Sequence, residues 1–207
     1  TFIGDLPVVM SKRNKPARAE FSGTIGKVMG RNVINTSATY AGMRIYCESI
    51  RDGIFEVTKI GGVFNASGTV SVTVYNQDNE EVAGPYTLTT TAGNYVETTL
   101  PEALSLPMYL DNGGNAEYFF AYAVNQSNLP RQVDGTCGCG GFFPYFDLSK
   151  PFMQGQTGSR AFSNWMMVGG FTSDSLTEFD LFRKNCKSVG IGTYGLTITA
   201  TLKCDAA

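Results

Sequence analysis

The segment Cys137-Gly138-Cys139-Gly140-Gly141 sets two thiols one residue apart in a glycine-rich turn, and Cys186 and Cys204 follow it. Four thiolates could complete a tetrahedral zinc site that pins an irregular segment onto the last strand. The first pair is closer than the gap usual in zinc knuckles, and the second pair is far apart. Three states therefore stay open: a structural zinc, one or two disulfides, or free thiols. Cysteines separated by one residue are poorly placed to bridge each other. Disulfides would instead join Cys137 or Cys139 to Cys186 or Cys204. The fifth cysteine, Cys47, falls in a strand pattern and is expected to be a buried apolar residue.

The chain contains no histidine. This excludes Ser-His-Asp and Cys-His nucleophilic sites and every metal site that uses imidazole. Glycoside hydrolysis needs two opposed carboxylates, but the 18 Asp and Glu residues are scattered over turns and polar faces. Glu80 and Glu81 fall in a turn, and Asp174, Glu178 and Asp180 surround a short helical pattern where capping is their ordinary role. No Walker loop or GxGxxG is present, and the Gly135–Gly141 stretch lacks the lysine and helix of a phosphate loop. No catalytic residue is expected. Trp165, the single tryptophan, is expected to pack in the core. In a sugar-binding reading Trp165, Tyr145 and Tyr109 would be the aromatic platforms. Asn35, Asn65 and Asn125 begin glycosylation sequons, which matter only along a eukaryotic secretory route.

The elements that must position these groups read as strands. Val70, Val72 and Val74 alternate with Ser71, Thr73 and Tyr75, the period of a strand with one buried face. Asn76-Gln77-Asp78-Asn79 supplies turn chemistry. Two β-rich runs, residues 86–91 and 95–100, flank Ala92-Gly93-Asn94, which predicts a hairpin. Tyr118, Phe120, Tyr122 and Val124 share one face of a strand whose other face carries Phe119, Ala121 and Ala123. Such a strand is buried on both faces, or one face meets a partner. Residues 196–204 alternate apolar residues with threonines, predicting a long strand with its threonine face toward solvent. Residues 43–47 and 54–60 are further strands. One short helix is expected at residues 176–184, capped by Ser173 or Asp174.

Many short strands with glycine-rich turns predict an all-β chain: a jelly-roll-like β-sandwich with an irregular Gly- and aromatic-rich insertion and at most one short helix. The sandwich is expected over residues 31–204, with the insertion at about 126–160 and residues 205–207 as the C-terminal end. Phe142, Phe143, Tyr145, Phe146 and Phe152 argue that the insertion is ordered. Residues 1–30 are set apart as an extended arm. Its basic stretch, Lys12, Arg13, Lys15 and Arg18, is either solvated or docks on a neighbouring subunit. Charged residues make up 16% of the chain, below the roughly 25% usual in soluble domains, which fits extensive buried surface. The formal net charge of −2 gives no nucleic-acid signature. No apolar run approaches the roughly 18 residues that span a bilayer, and the start of the chain shows no signal-peptide pattern.

Residues 55–62 (FEVTKIGG) followed by 68–76 (GTVSVTVYN) are similar to core strands of galactose-binding-like jelly rolls. Residues 116–122 (AEYFFAY), 136–142 (TCGCGGF) and 196–204 (LTITATLKC) resemble a family of uncharacterised structural proteins from phages and prophages of gut anaerobic bacteria. The resemblance covers roughly residues 31–204. It implies a non-enzymatic virion subunit of the neck, connector or tail, assembled in the bacterial host cytoplasm. Its partners would be other virion proteins and copies of itself, and its cofactor none or one structural zinc. The alternative is a carbohydrate-binding β-sandwich module of a phage fibre or a secreted protein.

Overall fold

The computed structural model describes residues 17–25, 32–33, 37–47, 53–108, 110, 116–125, 128–132, 166–175 and 195–206. Its strands are β1 (Ala17–Ile25), β2 (Asn32–Val33), β3 (Tyr40–Cys47), β4 (Gly53–Val63), β5 (Gly68–Asn76), β6 (Glu81–Thr90), β7 (Tyr95–Pro107), β8 (Glu117–Ala123), β9 (Arg131–Gln132), β10 (Met166–Ser173) and β11 (Leu196–Ala206). No helix occurs among the described residues. The expected helix at 176–184 lies outside them.

Two antiparallel sheets face each other. One has the order β1-β11-β4-β7 and the other β10-β3-β8-β5-β6, while β2 and β9 form a separate short pair. The pairings nest. β5 pairs with β6, β4 with β7, β3 with β8 and β1 with β11. The chain is thus one long hairpin, folded over so that successive strand pairs fall in alternate sheets. This is the wrapping of a jelly roll, with β10 added beside β3.

The tip of that hairpin lies where the sequence puts turn chemistry. The Asn76 carboxamide oxygen accepts from the N–H groups of Asp78 and Glu80, each at 2.9 Å, and Asn79 adopts φ 63°. An Asx-type turn followed by a left-handed residue is what asparagine tolerates best.

The core follows from alternation. Phe55, Val57, Ile60, Leu196, Ile198 and Ala200 face it from the four-stranded sheet. Ala41, Met43, Ile45, Val70, Val72, Val74, Tyr118, Phe120 and Tyr122 face it from the five-stranded one. Phe64 closes one end with an edge-to-face contact on Tyr122, centroids 5.6 Å apart.

Two differences from the sequence expectation are instructive. Residues 92–94 do not close a hairpin, because β6 and β7 belong to different sheets. The turn carries the chain across the sandwich, and the Gly93 N–H donates to the Phe64 carbonyl at 2.8 Å instead of closing a ladder. The stretch set apart as an arm, residues 1–30, includes β1, a full edge strand paired with β11 from Ala17 to Ile25. Sheet-forming chain therefore begins before residue 31.

Candidate functional site

The outer face of the five-stranded sheet is the first candidate. Register places Phe119 opposite Arg44, and Gly42 between Ala121 and Phe171. Phe171 reaches across β3 to meet Phe119 edge-to-face, centroids 5.3 Å apart at 85°, a geometry worth about 0.5–1.5 kcal/mol beyond area burial. Only glycine fits beneath it. A Cβ at Gly42 would overlap the Phe120 carbonyl oxygen and press on the Phe171 ring. Arg44 makes an ion pair with Glu117 through its Nε, tying β3 to β8. Glu117 is 1% exposed, Phe119 1%, Ala121 3% and Phe171 1%. Of the two outcomes the sequence allowed for the two-faced strand, the structure gives burial on both faces within a single chain.

The outer face of the four-stranded sheet is a second and different surface. Thr197, Thr199, Thr201 and Lys203 lie beside Gly61, Lys59, Glu56 and Ile54 of β4. Lys203 pairs with Glu56 and Lys59 with Glu97, each at 2.6 Å. The Tyr95 hydroxyl crosses β4 above Gly61 to reach Thr197 Oγ1 at 3.1 Å, and it donates to Glu97 Oε2 at 3.2 Å. Any Cβ on Gly61 would stand 2.7 Å from that hydroxyl. The hydrogen bond from Lys59 holds the Glu97 carboxyl below its ordinary range, and the same bond raises Lys59. Burial pushes the Tyr95 phenol up. Thr24 and Thr199 share a hydroxyl contact at 3.0 Å. The threonine row faces outward as alternation predicts, but Thr197 is only 1% exposed because Tyr95 lies over it.

A third cluster closes the end near Phe64. Asn128 Nδ2 donates to Thr90 Oγ1 at 2.9 Å, and that hydroxyl donates to the Ala66 carbonyl at 3.0 Å. The Asn65 carboxamide, first residue of a sequon, accepts from the Leu129 N–H at 2.5 Å. That side chain staples two loops together.

The residues singled out in the sequence fall mostly elsewhere. Cys137, Cys139, Cys186, Trp165, Tyr145, Tyr109, Lys12, Arg13 and Lys15 lie outside the described residues. Arg18 is placed in β1 opposite Asp205, and Cys204 in β11 opposite Ala19 and Gly53. Among the described residues no group of three or more cysteine, aspartate or glutamate side chains is arranged to hold a metal. The Arg44–Glu117 and Lys59–Glu97–Tyr95–Thr197 groups were not foreseen. Arg44 and Glu117 come from β3 and β8, and the second group from β4, β7 and β11, so that only the register brings these strands' residues together. No protein-family model, curated protein or solved structure matches the chain.

Proposed function

We propose that the chain is a non-enzymatic structural subunit of a tailed-phage virion, in the neck, connector or tail region, and that it acts through protein–protein assembly. The observation that carries this reading is the nested strand order, β1-β11-β4-β7 against β10-β3-β8-β5-β6. That wrapping recurs in viral capsid and lectin domains, although a fold by itself assigns no function. The resemblance of residues 116–122, 136–142 and 196–204 to phage structural proteins supplies the virion context.

The strand edges also bear on assembly. β6 and β7 end their sheets on the same side. They carry Pro85, Pro101 and Pro107 with Glu81 and Glu102. In β7, residues 100–103 stand opposite the single residue Thr58, which breaks the ladder. Proline, charge and bulges blunt an edge against strand addition. Assembly contacts are therefore expected away from this side. The basic residues Lys12, Arg13 and Lys15 directly precede the edge strand β1 and are the first candidates for contact with a neighbour.

The test is mass-spectrometric analysis of purified particles from a host carrying the gene, with native mass measurement of the isolated chain. The chain is expected in the particle fraction at a fixed ratio to other structural proteins. Its absence from particles would reject the virion role.

A further inference from the structure

Each main sheet ends in two edge strands, β1 and β7 in one, β10 and β6 in the other. A strand edge is a row of main-chain donors and acceptors that another strand can extend. Glycine reports access to that row directly, because its surface is main chain alone. Gly170 in β10 is buried, and Phe171, Thr172 and Ser173 after it are 1%, 7% and 2% exposed. That stretch of β10 leaves no main chain open to a further strand. β6 and β7 carry prolines, and their ladders are broken by register shifts. β1 differs on each count. Gly23 is only half-buried. Residues 17–25 contain no proline and pair with β11 from end to end without a shift. Among the described residues β1 is therefore the main-sheet edge that is both regular and accessible.

The charges of β1 select what can extend it. Charge on an edge ordinarily opposes strand addition. In β1 there is one of each sign, Arg18 and Glu20, on either side of Ala19. A second β1 laid antiparallel about a two-fold axis at Ala19 sets position 18 of each copy opposite position 20 of the other. Opposite charges at directly opposed positions favour a strand pair, and like charges disfavour it. An axis at Arg18 or at Glu20 opposes two like charges. An axis at Phe21 opposes Arg18 to Thr24 and Glu20 to Ser22, which matches no charge. The register with β11 continues the pattern, because Arg18 stands opposite Asp205 and Glu20 opposite Lys203. Across β11 and β1 of one copy and β1 and β11 of the next, the row reads Asp205, Arg18, Glu20, Lys203, alternating in sign. The two-fold repeats that row in reverse.

We infer that two copies of this chain pair through β1, antiparallel and centred on Ala19, so that their four-stranded sheets run on as a single sheet. The contact is isologous, with the same surface used by both copies. Main-chain hydrogen bonds supply the attraction, and the charge pattern supplies the register and the choice of partner. The inference names the partner and the strand for the assembly reading. It rests on that reading's claim of self-association and not on the virion.

The test is sedimentation of the full chain across a dilution series. A dimer, or an assembly that divides into dimers, is expected. Arg18→Glu and Glu20→Arg each turn two attractive oppositions into two repulsive ones and should weaken the dimer roughly tenfold or more. The two variants mixed in equal amounts should pair with each other at about the unaltered affinity, because every opposed position again carries opposite charge. A purely structural role for these residues would not give that recovery. If either variant does not fold, Ala19→Cys decides. Mild oxidation and peptide mapping should then link two copies at position 19, where the opposed Cα atoms of an antiparallel pair lie about 4.5–5.5 Å apart, within disulfide reach. A monomer at every concentration, an oligomer indifferent to both reversals, or a mixture that does not recover would overturn the proposal. Absence of the position-19 link from oxidised Ala19→Cys would overturn it as well. A dimer that behaves as expected in a chain absent from particles would reject the virion reading and leave this inference standing.

Discussion

The outer faces of the two sheets are built on opposite plans. On the five-stranded sheet Phe119, Ala121 and Phe171 form an apolar cluster with Tyr75 at its margin, and the carboxylate beside them is buried with an arginine. On the four-stranded sheet the same alternation delivers threonines and two lysine–glutamate pairs, with both partners of the Lys59–Glu97 pair more than a third exposed. In each case an aromatic side chain is laid across a glycine of the middle strand: Phe171 over Gly42, Tyr95 over Gly61. The same device thus serves a dry face and a wet one. Residues on both faces of β8 are buried, and the strand lies in the interior of its sheet.

The contrast can be broken first where it is driest. Phe171→Ala removes the ring that meets Phe119 across Gly42 and should cost about 4 kcal/mol, read from the urea midpoint at unchanged slope. A loss under 1 kcal/mol would mean that the cluster is not packed as described. Arg44→Met takes the cation from Glu117, a buried carboxylate. Breaking such a pair is costly, and the partial exposure of Arg44 lowers the figure to about 2 kcal/mol.

On the wet face the effects are smaller. Tyr95→Phe leaves the buried Thr197 hydroxyl short of one partner and should cost about 1 kcal/mol. A Thr197→Val change in the same background should then add little, as a double-mutant cycle would show. Lys59→Met should change stability least, and salt should mask even that effect. The sign of its pH dependence is fixed. Glu97 is depressed by Lys59, so its contribution is present above the ordinary carboxylate range and is lost as pH falls through the lowered value. Lys59 is raised, so its contribution is present below the ordinary lysine value and is lost as pH rises through the raised one. The variant should flatten both limbs of a thermal-midpoint profile.

Strands were legible wherever one face is buried. Val70, Val72 and Val74, and the alternation through residues 196–204, identify β5 and β11 because period-two burial leaves no other arrangement. The turn at Asn76 was legible because its hydrogen bonds are local. The turn at residues 92–94 was not, because Gly93 and Asn94 signal a reversal without stating whether the chain re-enters the same sheet. That choice is made by distant groups, among them the Phe64 carbonyl that receives the Gly93 N–H. The ion pairs escaped for the same reason. Arg44 and Glu117 are 73 residues apart in sequence, and nothing local links them.

The proposed subunit is a sandwich that buries both faces of one sheet within its own chain and still acts by assembly. Native mass measurement of the full chain over a wide concentration range tests this directly. A discrete, closed oligomer that persists on dilution is predicted. A monomer at every concentration, without any higher species, would contradict the structural-subunit reading.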